Sequence, residues 1–279
     1  PEKRRGVGIA WGGFNVTEGG GDSAEVALEL MPGNKIRKYD TWHAMGQGAT
    51  TGSLVVTLEA LKEMHLTPED IQLIQNDTKT CPDTGMAGAS RSLYMDGNAT
   101  IIAANKLLAA MRKEDGTLRT YDEMKTEGIE TKYLGRYETN TTPGLCRLDP
   151  NTGIGDPTPA FTYCLNLAEV EVDTKTGKTT VLKFTCVDFV GRIGNIDAVN
   201  GQAYSGIMHG IGFALKEDYA DVKKHANMFG AGTSYIKDVP DDINLIHIDG
   251  AISDGPFGSS GASEAFQASG HCAVLNGIY

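Results

Sequence analysis

Cysteine is scarce in this sequence, and long apolar runs are absent. The five cysteines among the 279 residues are odd in number, widely separated and never spaced as Cys-x-x-Cys. This spacing argues against a disulfide framework and against a zinc or iron–sulfur site, and it favours a reducing compartment. No apolar stretch approaches the length of a membrane helix, and residues 1–5 lack the apolar run of a secretory signal. We therefore predict no membrane partner and a cytoplasmic location, with the periplasm as the alternative.

Positive charge is also in short supply. The sequence has 25 Lys and Arg against 36 Asp and Glu, which gives a net charge of -11. An acidic surface lacks the basic patch that nucleic acid requires, so we predict no nucleic-acid partner. The length suits one large domain or two subdomains of ordinary size. The sequence begins without Met and ends in a stretch of helical character, so we expect a piece of a longer polypeptide or a processed subunit.

Glycine is abundant, and one Gly-rich segment leads to an isolated acid. Residues 255–266 have the sequence Gly-Pro-Phe-Gly-Ser-Ser-Gly-Ala-Ser-Glu-Ala-Phe, with Glu264 as the acid. Glycines allow backbone N–H groups to approach an anion, and the positive end of a helix dipole would lie beside them. This pattern predicts an active-site loop. The ordinary alternative is a first-turn acid behind a capping serine.

Two further clusters combine glycine with glutamine. Residues 42–49 have the sequence Trp-His-Ala-Met-Gly-Gln-Gly-Ala, and residues 199–212 carry several glycines within a predicted helix. Glycine inside a helix lowers stability, so Gly206, Gly210 and Gly212 indicate a close approach. The neighbour is another backbone or a bulky ligand, and the spacing allows both.

The apolar periodicity predicts a mixed fold. Alternating residues predict strands over 7–11, 25–30, 73–74, 168–173 and 179–184, and helical spacing predicts helices over 51–65, 98–112 and 198–215. Both halves repeat the same order of elements, so we predict an α+β fold of two similar α/β subdomains with a cleft between them. We assign 1–115 to the first subdomain, 116–160 to a polar connecting segment, and 161–279 to the second subdomain, which carries Glu264.

Four motifs carry a resemblance to a known family. They are Met-Gly-Gln-Gly at 45–48, Gly-Ala-Ser-Arg-Ser at 88–92, Gly-Gln at 201–202 and Gly-Ala-Ser-Glu at 261–264. The order and spacing of these motifs resemble those of the C-terminal molybdopterin-binding domain of the xanthine oxidase family of molybdenum hydroxylases. The resemblance is strongest to the bacterial aldehyde oxidoreductases. The resemblance covers essentially the whole chain. Each motif alone is common, since Met-Gly-Gln-Gly is usually a turn and Ser-Arg-Ser is usually solvated surface.

The resemblance implies a cofactor, molybdopterin cytosine dinucleotide with molybdenum. Family members hold the metal through the cofactor's dithiolene, so no protein ligand to the metal is expected here. We predict none of the six histidines as a ligand. If any of them approaches the cofactor, we expect it to be His209, which lies in the Gly-rich helix near Gln202. Amide side chains suit the pterin edge, and backbone or hydroxyl donors suit the phosphates. The implied cofactor contacts are Met45, Gly46, Gln47, Gly48, Ala89, Ser90, Arg91, Ser92, Gln202 and Ser263.

The resemblance also implies a reaction and partners. Glu264 corresponds to the general base of a reaction that oxidises aldehydes to carboxylic acids with water as the oxygen source, taking the proton from the hydroxyl on molybdenum. The implied partners are the N-terminal iron–sulfur and first molybdenum-binding regions, with 2Fe-2S clusters in those regions or in partner subunits, an electron acceptor protein, and a second copy in a homodimer of the full enzyme.

Three alternatives remain at this point. The chain could be a cofactor-binding or structural subunit without turnover, or a hydroxylase of N-heterocycles from the same family. It could also be an unrelated acidic enzyme that binds a nucleotide through glycine loops, although the sequence has no Gly-x-x-x-x-Gly-Lys-Ser/Thr motif.

Overall fold

The computed structural model describes residues 2–17, 21–139, 148–155, 157–252 and 254–279. Within these residues the strands are β1 (Lys3–Val16), β2 (Ser23–Met31), β3 (Lys35–Asp40), β4 (Ile71–Gln75), β5 (Lys132–Glu138), β6 (Ala160–Asp173), β7 (Thr179–Phe189) and β8 (Asp242–His247). The α-helices are α1 (Ala49–Ala60), α2 (Arg91–Met111), α3 (Tyr121–Thr126), α4 (Ile196–Leu215), α5 (Met228–Ala231), α6 (Ser263–Ala268) and α7 (Gly270–Ile278). None of the described helices combines the length and the apolar character that a membrane span requires.

The chain forms two compact units. The terminal unit comprises Pro1–Phe14, Phe161–Gly250 and Ala262–Tyr279, and the central unit comprises Asn15–Ala160 and Ala251–Gly261. Both chain ends belong to one unit because β1 lies beside β6 in the same sheet. The division at 1–115, 116–160 and 161–279 stays a prediction about functional subdomains. The segment 116–160 is more than a connection, because it contains α3 and β5.

The central unit has a four-stranded sheet in the order β4-β3-β2-β5. Strand β2 pairs antiparallel with β3 and β5, whereas β3 pairs parallel with β4, with α1 in the crossover between them. Helix α2 packs on β2, β5 and α1. The core of this unit contains buried apolar residues from the sheet and from α2, including Leu28, Ile36, Leu107 and Met111.

The terminal unit repeats this arrangement with the order β1-β6-β7-β8. Strands β6 and β7 form an antiparallel hairpin, β7 pairs parallel with β8, and α4 lies in the crossover. Helices α6 and α7 pack against α4, and the core includes Phe184, Ile207, Phe266 and Val274. Each unit therefore contains a hairpin, a crossover helix and a parallel strand. The predicted fold class of two similar α/β subdomains is confirmed.

The glycines of α4 allow a close approach to neighbouring backbone. A β-carbon built on Gly206 would lie 2.5 Å from Cβ of Phe266, and one built on Gly210 would lie 3.1 Å from the backbone of Gly270. Either distance is shorter than an ordinary contact. For these two glycines the structure supports the helix-packing alternative, in which α4 packs against α6 and α7.

Candidate active site

The predicted Met-Gly-Gln-Gly segment is an exposed loop between β3 and α1. Gly46 and Gly48 have φ of 106° and 89°, a left-handed conformation that favours glycine. A β-carbon built on either residue would meet no atom within 4 Å, so the space beside both is open. The Gln47 side chain shapes the loop, because its Nε2 donates to the carbonyl of His43 over 2.6 Å and its Oε1 accepts from the N–H of Met45 over 2.7 Å.

The predicted Ala-Ser-Arg-Ser segment forms the start of α2. Ala89 and Ser90 both have φ of 50°, which is uncommon for residues with a side chain, and strain of this kind clusters at functional sites. Ser90 is the N-cap residue, and its side chain makes no capping hydrogen bond to the helix among the described residues. The first N–H groups of α2, which begins Arg91-Ser92, therefore have no side-chain acceptor from the N-cap residue.

Arg91 is buried, and its guanidinium group is used within the protein. Nε and one Nη donate to the two carboxylate oxygens of Asp22 over 2.7 and 2.8 Å. The remaining N–H groups donate to the carbonyls of Ser23, Thr84 and Met86 over 2.7–3.0 Å. All five donors of the guanidinium have protein acceptors. In this structure Arg91 holds the segment in place and offers no side-chain donor to a ligand.

The two predicted cofactor segments of the central unit are joined by hydrogen bonds. The N–H of Thr41 donates to Oγ1 of Thr84, and the N–H of Thr84 donates to Oγ1 of Thr41, each over 2.9 Å. Because Arg91 also binds the carbonyl of Thr84, the start of α2 and the 41–48 loop share one anchor. The structure thus brings together residues that lie more than 40 positions apart.

The first part of the 255–266 segment packs on the start of α2. A β-carbon built on Gly261 would lie 2.2 Å from the carbonyl oxygen of Ser90, and one built on Gly97 would lie 2.6 Å from Cγ of Pro256. Phe257 adopts a left-handed φ of 54°. Gly261 is therefore required by its contact with the backbone of Ser90, whereas the sequence analysis explained the glycines of this segment by the approach of their N–H groups to an anion.

Glu264 lies half-buried in the first turn of α6, in the terminal unit. The preceding Ser263 donates its hydroxyl proton to Oε1 of Gln202 on α4 over 2.7 Å. The N-cap residue of α6 is Ala262, and no side chain caps the helix. The ordinary alternative is correct in placing Glu264 in the first turn of a helix, but its capping serine is wrong, because the N-cap residue is Ala262. The structure brings the predicted contact residues Gln202 and Ser263 together beside Glu264.

Two of the histidines, His209 and His247, have defined side-chain neighbours. His209 lies next to Phe213, with 6.5 Å between the ring centroids. His247 contacts Asp188 through Nδ1 over 2.7 Å and Asn200 through Nε2 over 2.8 Å, and burial raises the pKa of the Asp188 carboxyl. Among the described residues no group of three His, Cys, Asp or Glu is arranged to hold a metal ion. Four cysteines are free thiols, and Cys146 lies outside the described residues.

A buried charge network near the 41–48 loop was not predicted. Lys38 and Asp40 of β3 and Asp96 of α2 are all 0% exposed, and Lys38 forms ion pairs with both carboxylates. Burial raises the pKa of Asp96 to about 6. The available sequence signal was the alternation of Ile36, Lys38 and Asp40, which places the two charged side chains on the same sheet face as an apolar residue.

Comparisons with known proteins identify the family. The family model described as "Molybdopterin cofactor-binding domain" matches residues 1–240. The aldehyde oxidoreductase of Megalodesulfovibrio gigas is 39% identical over 275 residues, which cover 99% of this chain and 30% of that protein. The crystal structure of the aldehyde oxidoreductase from Desulfovibrio desulfuricans has a TM-score of 0.94 and 42% identity, and the match covers 100% of this chain and 30% of that one. The gamma subunit of the 6-hydroxypseudooxynicotine dehydrogenase complex of Paenarthrobacter nicotinovorans is 24% identical over 287 residues, 93% of this chain and 35% of that subunit.

The chain belongs to the molybdopterin cofactor-binding domain family, and the resemblance to the xanthine oxidase family of molybdenum hydroxylases is confirmed. Its sequence and fold are similar to those of the aldehyde oxidoreductases of Desulfovibrio species. The chain spans about 30% of the length of these relatives.

Proposed function

We propose that this chain is the catalytic, cofactor-binding part of an aldehyde oxidoreductase that oxidises aldehydes to carboxylic acids with water as the oxygen source. The observation that carries the proposal is the hydrogen bond between Ser263 and Gln202, which fixes the helix of Glu264 next to a predicted cofactor residue. The 39% identity to a named aldehyde oxidoreductase over 99% of the chain supports the same substrate class.

The residues of the predicted segments fit a polar dinucleotide cofactor. Gly46 and Gly48 have open space on the side where another residue would carry its β-carbon. At the start of α2, the side chain of the N-cap residue makes no capping hydrogen bond. The amide of Gln47 has a second N–H and a second lone pair beyond those used in its loop. These features supply the donors and acceptors that a pterin and a pyrophosphate require.

Each contact residue has a distinct role in this proposal. Gln47 and Gln202 bind the edge of the pterin, and the backbone at 45–48 lets the ring approach closely. The backbone of Ala89 and the hydroxyl and N–H groups of Ser90 and Ser92 bind the pyrophosphate of the cytosine dinucleotide form. Arg91 positions this segment through Asp22, and Ser263 positions Gln202.

Glu264 is the general base. Its carboxylate accepts the proton released when a water-derived oxygen is transferred to the aldehyde carbon. A bound molybdenum cofactor would supply the acceptor for the hydrogen and the two electrons of the aldehyde C–H bond. A base held in place contributes about a hundredfold to ten-thousandfold in rate. The buried Ala265 and Phe266 anchor α6, so the Glu264 backbone is held by the core of the terminal unit.

The rest of the catalytic cycle requires other polypeptide. We propose that 2Fe-2S clusters in the iron–sulfur regions, present in the same chain or in a partner subunit, carry electrons to an acceptor protein. The full enzyme is then a homodimer in the cytoplasm, where the free thiols remain reduced.

The test is metal analysis, pterin analysis and an absorption spectrum of the native protein from a host that makes the cofactor. The proposal predicts molybdenum and pterin in equal amounts. Protein that carries neither, from a host whose other molybdenum enzymes are loaded, contradicts it. Loaded protein without aldehyde turnover in the complete assembly favours the non-catalytic alternative, and turnover of N-heterocycles alone favours a hydroxylase.

A further inference from the structure

Three charged side chains are buried together: Lys38 and Asp40, directly before the 41–48 loop, and Asp96 on α2. Nζ of Lys38 lies 2.7 Å from Oδ1 of Asp96 and 3.3 Å from Oδ2 of Asp40, and all three side chains are fully buried. Buried ion pairs often stabilise a fold no better than apolar residues of similar size. Their best-attested use is to select one arrangement of the elements that carry them.

Asp40 is the centre of this network. Its carboxylate accepts from the hydroxyl of Ser53 on α1 over 2.7 Å and from Nε2 of Gln75 at the end of β4 over 2.8 Å. The N–H of Trp42 is 3.4 Å from the same carboxylate. Asp40 therefore joins two strands and α1 to the first residues of the 41–48 loop.

Trp42 fixes the start of that loop. The indole is 6% exposed, and a β-carbon built on Gly52 of α1 would lie 3.2 Å from its ring. Nζ of Lys38 is 5.9 Å from the ring centroid. Trp42 is therefore hydrogen-bonded to Asp40 and has the Lys38 ammonium group over its ring.

Asp96 links the network to the other cofactor segment. It lies on α2 four residues after Ser92, on the same helix face. Its Oδ1 binds Lys38 and Thr100, while Oδ2 has no hydrogen-bond partner among the described residues. The groups that face Asp96 are thus Lys38, Asp40 and Thr100, and Lys38 is the cation that offsets its charge.

We propose that Lys38 is a positioning residue that holds the 41–48 loop and the start of α2 in one fixed relation. This inference rests on the proposed cofactor site, for which the two segments supply Gln47 and Ser90. Lys38 acts through Asp40 and Trp42 on one side and through Asp96 on the other. It does not contact the cofactor.

The experiment measures the accessibility of Trp42 in the 279-residue chain. The sequence has two tryptophans, so a Trp11→Phe background leaves Trp42 as the reporter. Asp96→Asn preserves side-chain volume, removes one carboxylate and leaves Lys38 paired with Asp40. Lys38→Met is the more severe variant, and Asp96→Asn keeps the test valid if that variant does not fold.

The matched control is Leu107→Ala. Leu107 is fully buried on the same helix, 11 residues beyond Asp96, about 16 Å along the axis, and belongs to a separate apolar cluster. The Leu107→Ala substitution lowers the global stability of the protein, and it removes no atom of the charge network. Acrylamide quenching of Trp42 and urea unfolding are measured for parent, Asp96→Asn and Leu107→Ala.

We expect Asp96→Asn to raise the quenching constant of Trp42 by about twofold in the absence of urea, and Leu107→Ala to leave it unchanged, because only the first alters local opening of the loop. Molybdenum and pterin content is measured in the complete, cofactor-loaded enzyme, where both should fall in Asp96→Asn and stay at the parent level in Leu107→Ala. Unchanged quenching and cofactor content in Asp96→Asn overturn the proposal, as do equal changes in both variants. A complete parent enzyme without cofactor overturns the proposed function instead, while the quenching result from the 279-residue chain still decides whether the network positions the loop.

Discussion

The hydroxyl of Ser263 donates a hydrogen bond to Oε1 of Gln202 over 2.7 Å. This contact joins α6, which carries Glu264, to α4, and it involves two residues that the family resemblance assigns to the cofactor site. The interaction also gives Ser263 a role other than capping. A side chain that orients an amide acceptor fixes which atoms of Gln202 remain for a ligand.

Replacing Gln47 or Gln202 with Ala should reduce bound molybdenum and pterin. An amide neither titrates nor attacks at neutral pH, but it matches the donor and acceptor pattern of a pterin edge. Metal and pterin content per protein is the measurement. Gln72→Ala is the control, because Gln72 is exposed on β4 and its side chain accepts a hydrogen bond from Arg37 on the neighbouring strand. Parent-level metal in a protein with both Gln47 and Gln202 replaced would mean that the cofactor lies elsewhere.

Gly206→Ala should destabilise the protein, whereas Gly201→Ala on the same helix should not. The new β-carbon at 206 would lie 2.5–3.0 Å from atoms of Phe266 and Gln267, so α6 must move. Overpacking of this kind costs about 1–3 kcal/mol. A β-carbon at Gly201 meets nothing within 4 Å, so helix propensity should raise stability by up to about 1 kcal/mol. Urea unfolding of both variants checks the pair, and equal effects would show that α4 and α6 are not in close contact.

Much of the fold was predictable because its elements follow simple periodic patterns. Alternation predicted the hairpin of β6 and β7 and the middle residues of β1 and β2, and helical spacing predicted α4. Strands β3, β5 and β8 were not predicted. In β3 the alternation includes Lys38 and Asp40, which are normally exposed residues. Their burial depends on Asp96, which lies 56 positions after Asp40 and is brought near only by the fold.

The candidate site was predictable only in part. The motifs predict Gln47, Ser90, Gln202 and Glu264 as site residues, which stays a prediction. They could not show that the five N–H donors of Arg91 are used by protein acceptors. Nor could it reveal the reciprocal bonds between Thr41 and Thr84, because hydroxyl and backbone groups bond in many settings. Long-range hydrogen bonds of this kind leave no periodic signal.

Asp96 should make folding less favourable as pH rises from 4 to 6. Burial raises its pKa to about 6 from an ordinary value of 3.8, so in this window the folded protein holds a proton that the unfolded chain releases. The effect amounts to as much as about 3 kcal/mol between pH 4 and pH 7. Asp96→Asn should remove it, so the free energy of unfolding of the parent, relative to this variant, should fall over that range.

Asp115→Asn tests a carboxyl whose contribution to stability changes with pH in the opposite direction to that of Asp96. Hydrogen bonds from Thr117 lower the pKa of the exposed Asp115 carboxyl, so its small stabilising contribution is lost as pH falls. Urea unfolding at several pH values checks both variants. Parallel pH profiles for the parent and Asp96→Asn would show that Asp96 does not bind a proton near pH 6.

The 279-residue chain alone should not sustain aldehyde oxidation. The reaction leaves two electrons on the cofactor, and the sequence has no paired cysteines to hold an iron–sulfur cluster. The chain also spans about 30% of the length of its relatives, so we expect a partial pocket and weak cofactor retention. An assay with an aldehyde panel and an artificial electron acceptor is the check. Sustained molybdenum-dependent turnover by the isolated chain would show that no other polypeptide is needed.

The most direct test of the account is the turnover of Glu264→Gln in the complete, cofactor-loaded enzyme. Glutamine is nearly isosteric but cannot accept the proton, so kcat should fall by about a hundredfold or more while molybdenum content and the unfolding midpoint stay at parent values. Asp197→Asn is the matched control, since Asp197 is also an acid in the first turn of a helix of the terminal unit. A Glu264→Gln enzyme that retains kcat within a few-fold of the Asp197→Asn enzyme would contradict the role of Glu264 as the general base.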